Sequence, residues 1–179
     1  MFIRNGGALN AGWVLVVASM FLNFSSSAVE LPAAPELKVL ARFIGTWECE
    51  STAKKTEWAP QETHSTAVDV AKWILDGSHV EIEIQTSEKQ SLKVILSYDS
   101  AKQMYRSWTF GPNGYCLENQ MQWNEKTKTF SGKYEVTEGV TCETTARFVD
   151  DDTYEWNWLA KDAKGTIYVD THGKKTRKK

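Results

Sequence analysis

Phe43-Ile44-Gly45-Thr46-Trp47 is where the periodicity of the chain changes. Before it, Leu37, Leu40, Ala41 and Ile44 recur at helical spacing. Pro35 stands where a first helical residue would be, a position that proline favours because its missing N–H costs nothing there. Gly45 is a natural helix stop. After it the period is two: Trp47, Cys49 and Ser51 alternate with Glu48 and Glu50. The stretch predicts a helix of about two and a half turns with one apolar face, acting as a cap. A strand follows at once, with Trp47 pointing into whatever the rest of the chain builds.

The next signal is Asp76-Gly77, a strong hairpin turn. With those two residues as the turn, Leu75 faces Ser78, Trp73 faces Val80, Lys72 faces Glu81 and Ala71 faces Ile82. One face is then apolar and the other charged, as in a sheet buried on one side. Tyr98-Asp99 to Tyr105 and Trp123-Asn124 to Phe130 share a pattern: an aromatic, an Asp or Asn, a lysine-bearing turn, then an aromatic. Asp and Asn open turns by accepting bonds from their own following backbone. Further turns fall at Gly111-Pro112-Asn113-Gly114, Glu138-Gly139, Asp150-Asp151-Asp152 and Asp162-Ala163-Lys164-Gly165. Ten strands result, starting near Thr46, Thr63, Ser78, Ser91, Met104, Tyr115, Phe130, Val140, Thr153 and Thr166. Even spacing and alternating faces predict an all-β fold, an up-and-down antiparallel barrel with a short N-terminal capping helix.

The chain has 179 residues, a formal charge of −2 and a pI near 6.0, which suits one domain and implies no nucleic-acid partner. Arg4, an apolar run over residues 11–22 and the small residues Ser26-Ser27-Ala28 read as a cleavable export signal. The expected organisation is a signal peptide over 1–28, a Pro- and Ala-rich tether over 29–36 and a single barrel over 37–179. The run is shorter than the ~20 residues a membrane span needs, so no span is expected after cleavage. The expected location is secreted or periplasmic. That compartment allows disulfides, but there are three cysteines, Cys49, Cys116 and Cys142, so at most one internal bridge forms. Cys116–Cys142 is the candidate pair. It requires the strand between them to have ended or frayed near residues 136–138, because two strand spacings exceed disulfide reach. Three free thiols is the alternative.

The whole pattern resembles the lipocalin-like, or calycin, barrels, through Gly45-Thr46-Trp47 after a short helix. Trp73-Ile74-Leu75-Asp76-Gly77, Tyr98-Asp99, Tyr105-Arg106, Trp123-Asn124, Asp152-Thr153-Tyr154-Glu155-Trp156 and Thr176-Arg177-Lys178 resemble a narrower group, the bacterial exported domain of unknown function 1579. The resemblance implies a barrel with an interior cavity and no assigned activity. It also implies that Arg177 packs over Trp47 and closes the barrel, a structural role.

Function would then reside inside. Asp69 shares a face with Ala71 and Trp73, and Arg106 shares one with Trp108 and Phe110. Asp69, Trp73, Arg106 and Trp108 are therefore the expected ligand-binding residues, with Arg106 suited to clamp a carboxylate. Two alternatives stay open: Asp69 at a wet rim, and Arg106 outside, with Tyr105, Ser107 and Thr109 as the inner row. Of His64, His79 and His172, the last resembles the haem-ligating histidine of the nitrobindin barrels, so haem through His172 is an alternative; otherwise no cofactor and no metal site is expected. Lys174, Lys175, Lys178 and Lys179 read as a solvated basic tail. The sequence carries no G-x-S-x-G, H-E-x-x-H or glycine-rich phosphate loop. The expectation is non-catalytic binding of a small, partly apolar molecule, with an enzyme in the same cavity or a filled barrel acting through its surface as alternatives.

Overall fold

The structure is a computed structural model that describes residues 34–179; the expected export signal, over residues 1–28, lies outside the described residues. A helix, α1 (Pro35–Leu40), runs into a 3-10 turn (Ala41–Phe43). Ten strands follow: β1 (Gly45–Ala53), β2 (Thr63–Ile74), β3 (His79–Thr86), β4 (Ser91–Asp99), β5 (Met104–Phe110), β6 (Cys116–Asn124), β7 (Thr129–Thr137), β8 (Val140–Phe148), β9 (Thr153–Asp162) and β10 (Ile167–Arg177). Each pairs antiparallel with the next, and β10 returns to β1, so the sheet is a closed barrel. The expected fold is the observed one, and every strand begins within one residue of the position that the turns predict.

The turns explain that agreement. Trp73↔Val80, Lys72↔Glu81 and Ala71↔Ile82 pair as expected. Asp76 and Gly77 both adopt positive φ, and Leu75 joins them at φ 50°. Leu75 and Ser78 thus belong to the turn, joined by a backbone bond of 3.1 Å. Asp99 Oδ1 accepts from the Lys102 N–H, and Asn124 Oδ1 accepts from those of Lys126 and Thr127. Each carboxylate or amide fixes its own turn through bonds to backbone no more than three residues away.

One end of the barrel is plugged. Leu40 and Phe43 are buried, and the Phe43 ring meets Phe130, Phe148 and Tyr154 at 5.2–5.6 Å between centroids. Tyr105 Oη donates to the Glu36 carbonyl at 3.0 Å, holding α1 across the opening. Trp47 is 1% exposed and donates its indole N–H to the Phe43 carbonyl at 2.7 Å. The Arg177 guanidinium lies 4.2 Å above the Trp47 ring and donates to the carbonyls of Ile44, Arg42 and Asp151 and to the Asp152 carboxylate. Gly45 is required here twice: its φ is 122°, and a Cβ would sit 2.7 Å from the Arg177 Nη1.

The two cysteines expected to pair do not. Cys116 lies exposed on the outer face of β6, whereas Cys142 is buried on the inner face of β8. The seam between β6 and β7 does open, since pairing covers only Met121–Asn124 against Thr129–Gly132. β7 runs to Thr137 and pairs Tyr134 with Cys142, so the intervening strand has not ended, and the opposite faces separate the thiols as well; Cys49 is a buried free thiol too.

Trp47→Ala empties the base of the barrel and leaves the Phe43 carbonyl and Arg177 without their shared partner. The expected loss is ~3–5 kcal/mol of stability, read as a lowered urea midpoint with an unchanged slope. An unchanged midpoint would place Trp47 outside the core.

Candidate functional site

The cavity begins above the aromatic plug. It encloses about 370 Å³. Inner rows of Ile82 and Ile84 on β3, Leu92, Val94 and Leu96 on β4, and Leu117 and Met121 on β6 make its apolar wall. Space exists because several inward positions are small: Ala67, Ser107, Thr109 and Thr144. The mouth, at the far end, carries Trp158 and Tyr134 among its lining residues. Beside it, Trp58 of the β1–β2 loop packs on Tyr168 at 4.9 Å.

A polar ledge stands on one side of the floor. The β1 register with its two neighbours creates it: Trp47 faces both Asp69 of β2 and Arg177 of β10, and Cys49 faces Lys175. Lys175 and Asp69 therefore meet diagonally across β1, and Lys175 Nζ donates to Asp69 Oδ2. Asp69 is 1% exposed, and the Lys175 side chain 13%. The ammonium also lies 5.6 Å from the centre of the Tyr154 ring. Burial opposes the charge on Lys175, but Tyr154 and Asp69 outweigh it, and the ammonium pKa is raised above its ordinary 10.5. A raised cation contributes its stability fully below that ordinary value and loses it only as pH climbs through the higher one. The ammonium is charged at neutral pH.

Three buried polar atoms around the cavity have no hydrogen-bond partner among the described residues: Asp69 Oδ1, Asn119 Oδ1 and Trp156 Nε1. Such orphans are rare, because each forfeits hydration without return. Asn119 reaches over β7 and donates through Nδ2 to Thr144 Oγ1 at 2.9 Å. Gly132 makes that reach possible: a Cβ there would lie 2.5 Å from Asn119 Oδ1. Gly173 does the same for Trp156, whose indole would meet a Cβ at 2.7 Å. The Cys49 sulfur lies beside the Trp156 indole N–H. That contact and Lys175 lower the Cys49 thiol pKa less than burial raises it. Burial likewise pushes Tyr154 up to about 12.

Three of the expected ligand-binding residues, and the haem alternative, need correction. Arg106 does not line the cavity. It faces outward, bonded to Glu118 at 2.6 and 2.9 Å and to Asp99 at 3.4 Å. Trp108 is outside with it, its ring 4.8 Å beneath the guanidinium. Two carboxylates, Glu118 and Asp99, meet Arg106 on that face, and the inner row is Tyr105, Ser107 and Thr109. Trp73 faces inward but packs against the core at the plugged end, away from the cavity lining. His172 is exposed on the outer face of β10, between Thr52 and Asn157, so it cannot offer a ring nitrogen to a haem inside the barrel. Asp69 does line the cavity. Lys175, read as part of a solvated tail, is the residue that sequence reasoning missed. Its signal was parity, since it shares the inward face with Arg177.

Removing one partner of a buried ion pair leaves the other uncompensated. Lys175→Met should therefore destabilise the barrel by ~3–5 kcal/mol, and the double variant Asp69→Leu/Lys175→Met by much less. Denaturant melts of the two variants and wild type check this; a double variant worse than the single one would contradict it.

Comparison with known proteins agrees with this architecture. No protein of curated function matches the sequence. Rv2717c from M. tuberculosis has a similar fold, with a TM-score of 0.61 at 12% identity over 84% of this chain and 100% of that one. The S-type phycobiliprotein lyase CPES from Guillardia theta is similar too, with a TM-score of 0.53 at 12% identity over 82% of this chain and 94% of that one. Among the described residues, no helix is long and apolar enough to cross a membrane. The model of the family described as "Protein of unknown function (DUF1579)" matches residues 33–173, and the chain belongs to that family.

Proposed function

We propose that the barrel binds a small, partly apolar molecule in its cavity without transforming it. One observation carries the reading. An apolar space of about 370 Å³ has Asp69, Asn119 and Trp156 among its lining residues, and each carries a buried polar atom without a partner among the described residues. Fold specificity does not require such atoms, and a filled barrel would hide or pair them. A site with mostly apolar walls and a few convergent polar groups is what small-molecule recognition needs.

A barrel of this shape is named a lyase in Guillardia theta, so the architecture is compatible with chemistry. The groups lining this cavity favour binding instead. Cys49 stays a protonated thiol, Tyr154 a neutral phenol and Lys175 a charged ammonium, so none is activated as a base or nucleophile at neutral pH. Asp69 is the one carboxylate among the lining residues, so there is no acid–base pair of carboxylates. On this reading the protein is exported, secreted or periplasmic; the leader-like residues 1–28 support that.

The uncharged fluorophore N-phenyl-1-naphthylamine should bind saturably at one per chain. Ser107→Phe, which fills the cavity from the inner row of β5, should abolish the signal. Arg106→Ala, on the outer face, should leave it unchanged. Equal binding by wild type and Ser107→Phe would move the site to the surface.

A further inference from the structure

We infer that the cavity selects an uncharged amphiphile with a hydroxyl-type head over a carboxylate of the same chain length. This rests on the cavity reading and narrows its ligand class.

The charge balance comes first. Lys175 is the one cation and Asp69 the one anion among the residues that line the cavity. They are bonded to each other, with Asp69 almost fully buried. An entering carboxylate finds its natural partner already neutralised. It would also sit against the like charge of Asp69, with its own hydration lost. Arg106, the cation expected to receive a carboxylate, is on the outside with Glu118 and Asp99.

The unpaired atoms point the same way. Asp69 Oδ1 is an acceptor only, and Trp156 Nε1 is a donor only. A carboxylate can answer the second but not the first. An alcohol answers both senses, since its O–H donates and its oxygen accepts. Asn119 Oδ1, held by the Asn119–Thr144 bond, adds a further acceptor along the wall and favours a ligand with a second donor. The aliphatic wall of Ile82, Ile84, Leu92, Val94, Leu96 and Leu117 takes the apolar body.

Calorimetric titration of the full chain with 1-decanol and with sodium decanoate tests this near neutral pH. Decanol should bind roughly tenfold or more tightly than decanoate. Decanoate binding equally well or better overturns the inference while leaving the cavity reading in place; no binding of either probe overturns both. Asp69→Asn removes the anion and frees the ammonium, so decanoate affinity should rise at least about tenfold over wild type; an unchanged decanoate affinity in this variant, shown folded by circular dichroism, contradicts the inference. If that variant does not fold, Asp69→Leu/Lys175→Met serves. With both charges gone, decanol should weaken several-fold and decanoate should gain nothing. Decanol affinity unaffected by the double substitution overturns the assignment of Asp69 to the head group.

Discussion

The contact between Arg177 and Trp47 sets the rest of this barrel. The guanidinium stacks on the indole and donates to carbonyls of the capping turn and of the β8–β9 loop. It thus ties the first strand, the last strand, the cap and one loop at a single point. A shielded cation over an indole contributes ~1–2 kcal/mol, but its larger effect is on register. With Trp47 opposite Arg177, Cys49 must face Lys175, and Lys175 must point inward. A slip of one residue would turn Lys175 out to water and leave Asp69 buried and alone, because side chains in a strand alternate faces. The closure and the candidate site are therefore one constraint.

The interior divides its labour by height. The plugged end is aromatic and close-packed, with Phe43 among Phe130, Phe148 and Tyr154. Above it lies the Asp69–Lys175 ledge, and above that the apolar cavity. A buried ion pair stabilises little against an apolar replacement, but either partner left alone there is costly. The carboxylate keeps one oxygen for Lys175 and leaves the other buried without a partner among the described residues. Two glycines serve the same end by absence. Gly132 lets Asn119 cross to Thr144, and Gly173 lets Trp156 lie against β10.

Much of this was readable in the sequence because it is local. Turn residues such as Asp76-Gly77, Asp99 and Asn124 fold their own hairpins, so strand starts and the β2–β3 register follow from neighbours a few residues away. Asp69 was placed inward by that same hairpin. What the sequence hid is decided by distant partners. The parity of β5 depends on Glu118 and Asp99 waiting outside for Arg106, and no feature of β5 alone chooses between its two rows. Lys175 sits among lysines that are solvated, and only its pairing across β1 separates it from them. Strand spacing already argues against a Cys116–Cys142 bridge, and the opposite directions of the two side chains add to it.

The most direct test of the account is the indole N–H resonance of Trp156 in a heteronuclear NMR spectrum, assigned with Trp156→Phe. Trp47 serves as an internal reference, because its indole is already bonded to the Phe43 carbonyl. The account predicts that adding 1-decanol shifts the Trp156 resonance downfield, as a newly bonded N–H does, while that of Trp47 stays in place. A Trp156 resonance that does not move at saturating decanol, with Trp58 or Trp108 shifting instead, would contradict it and put the binding surface outside the barrel.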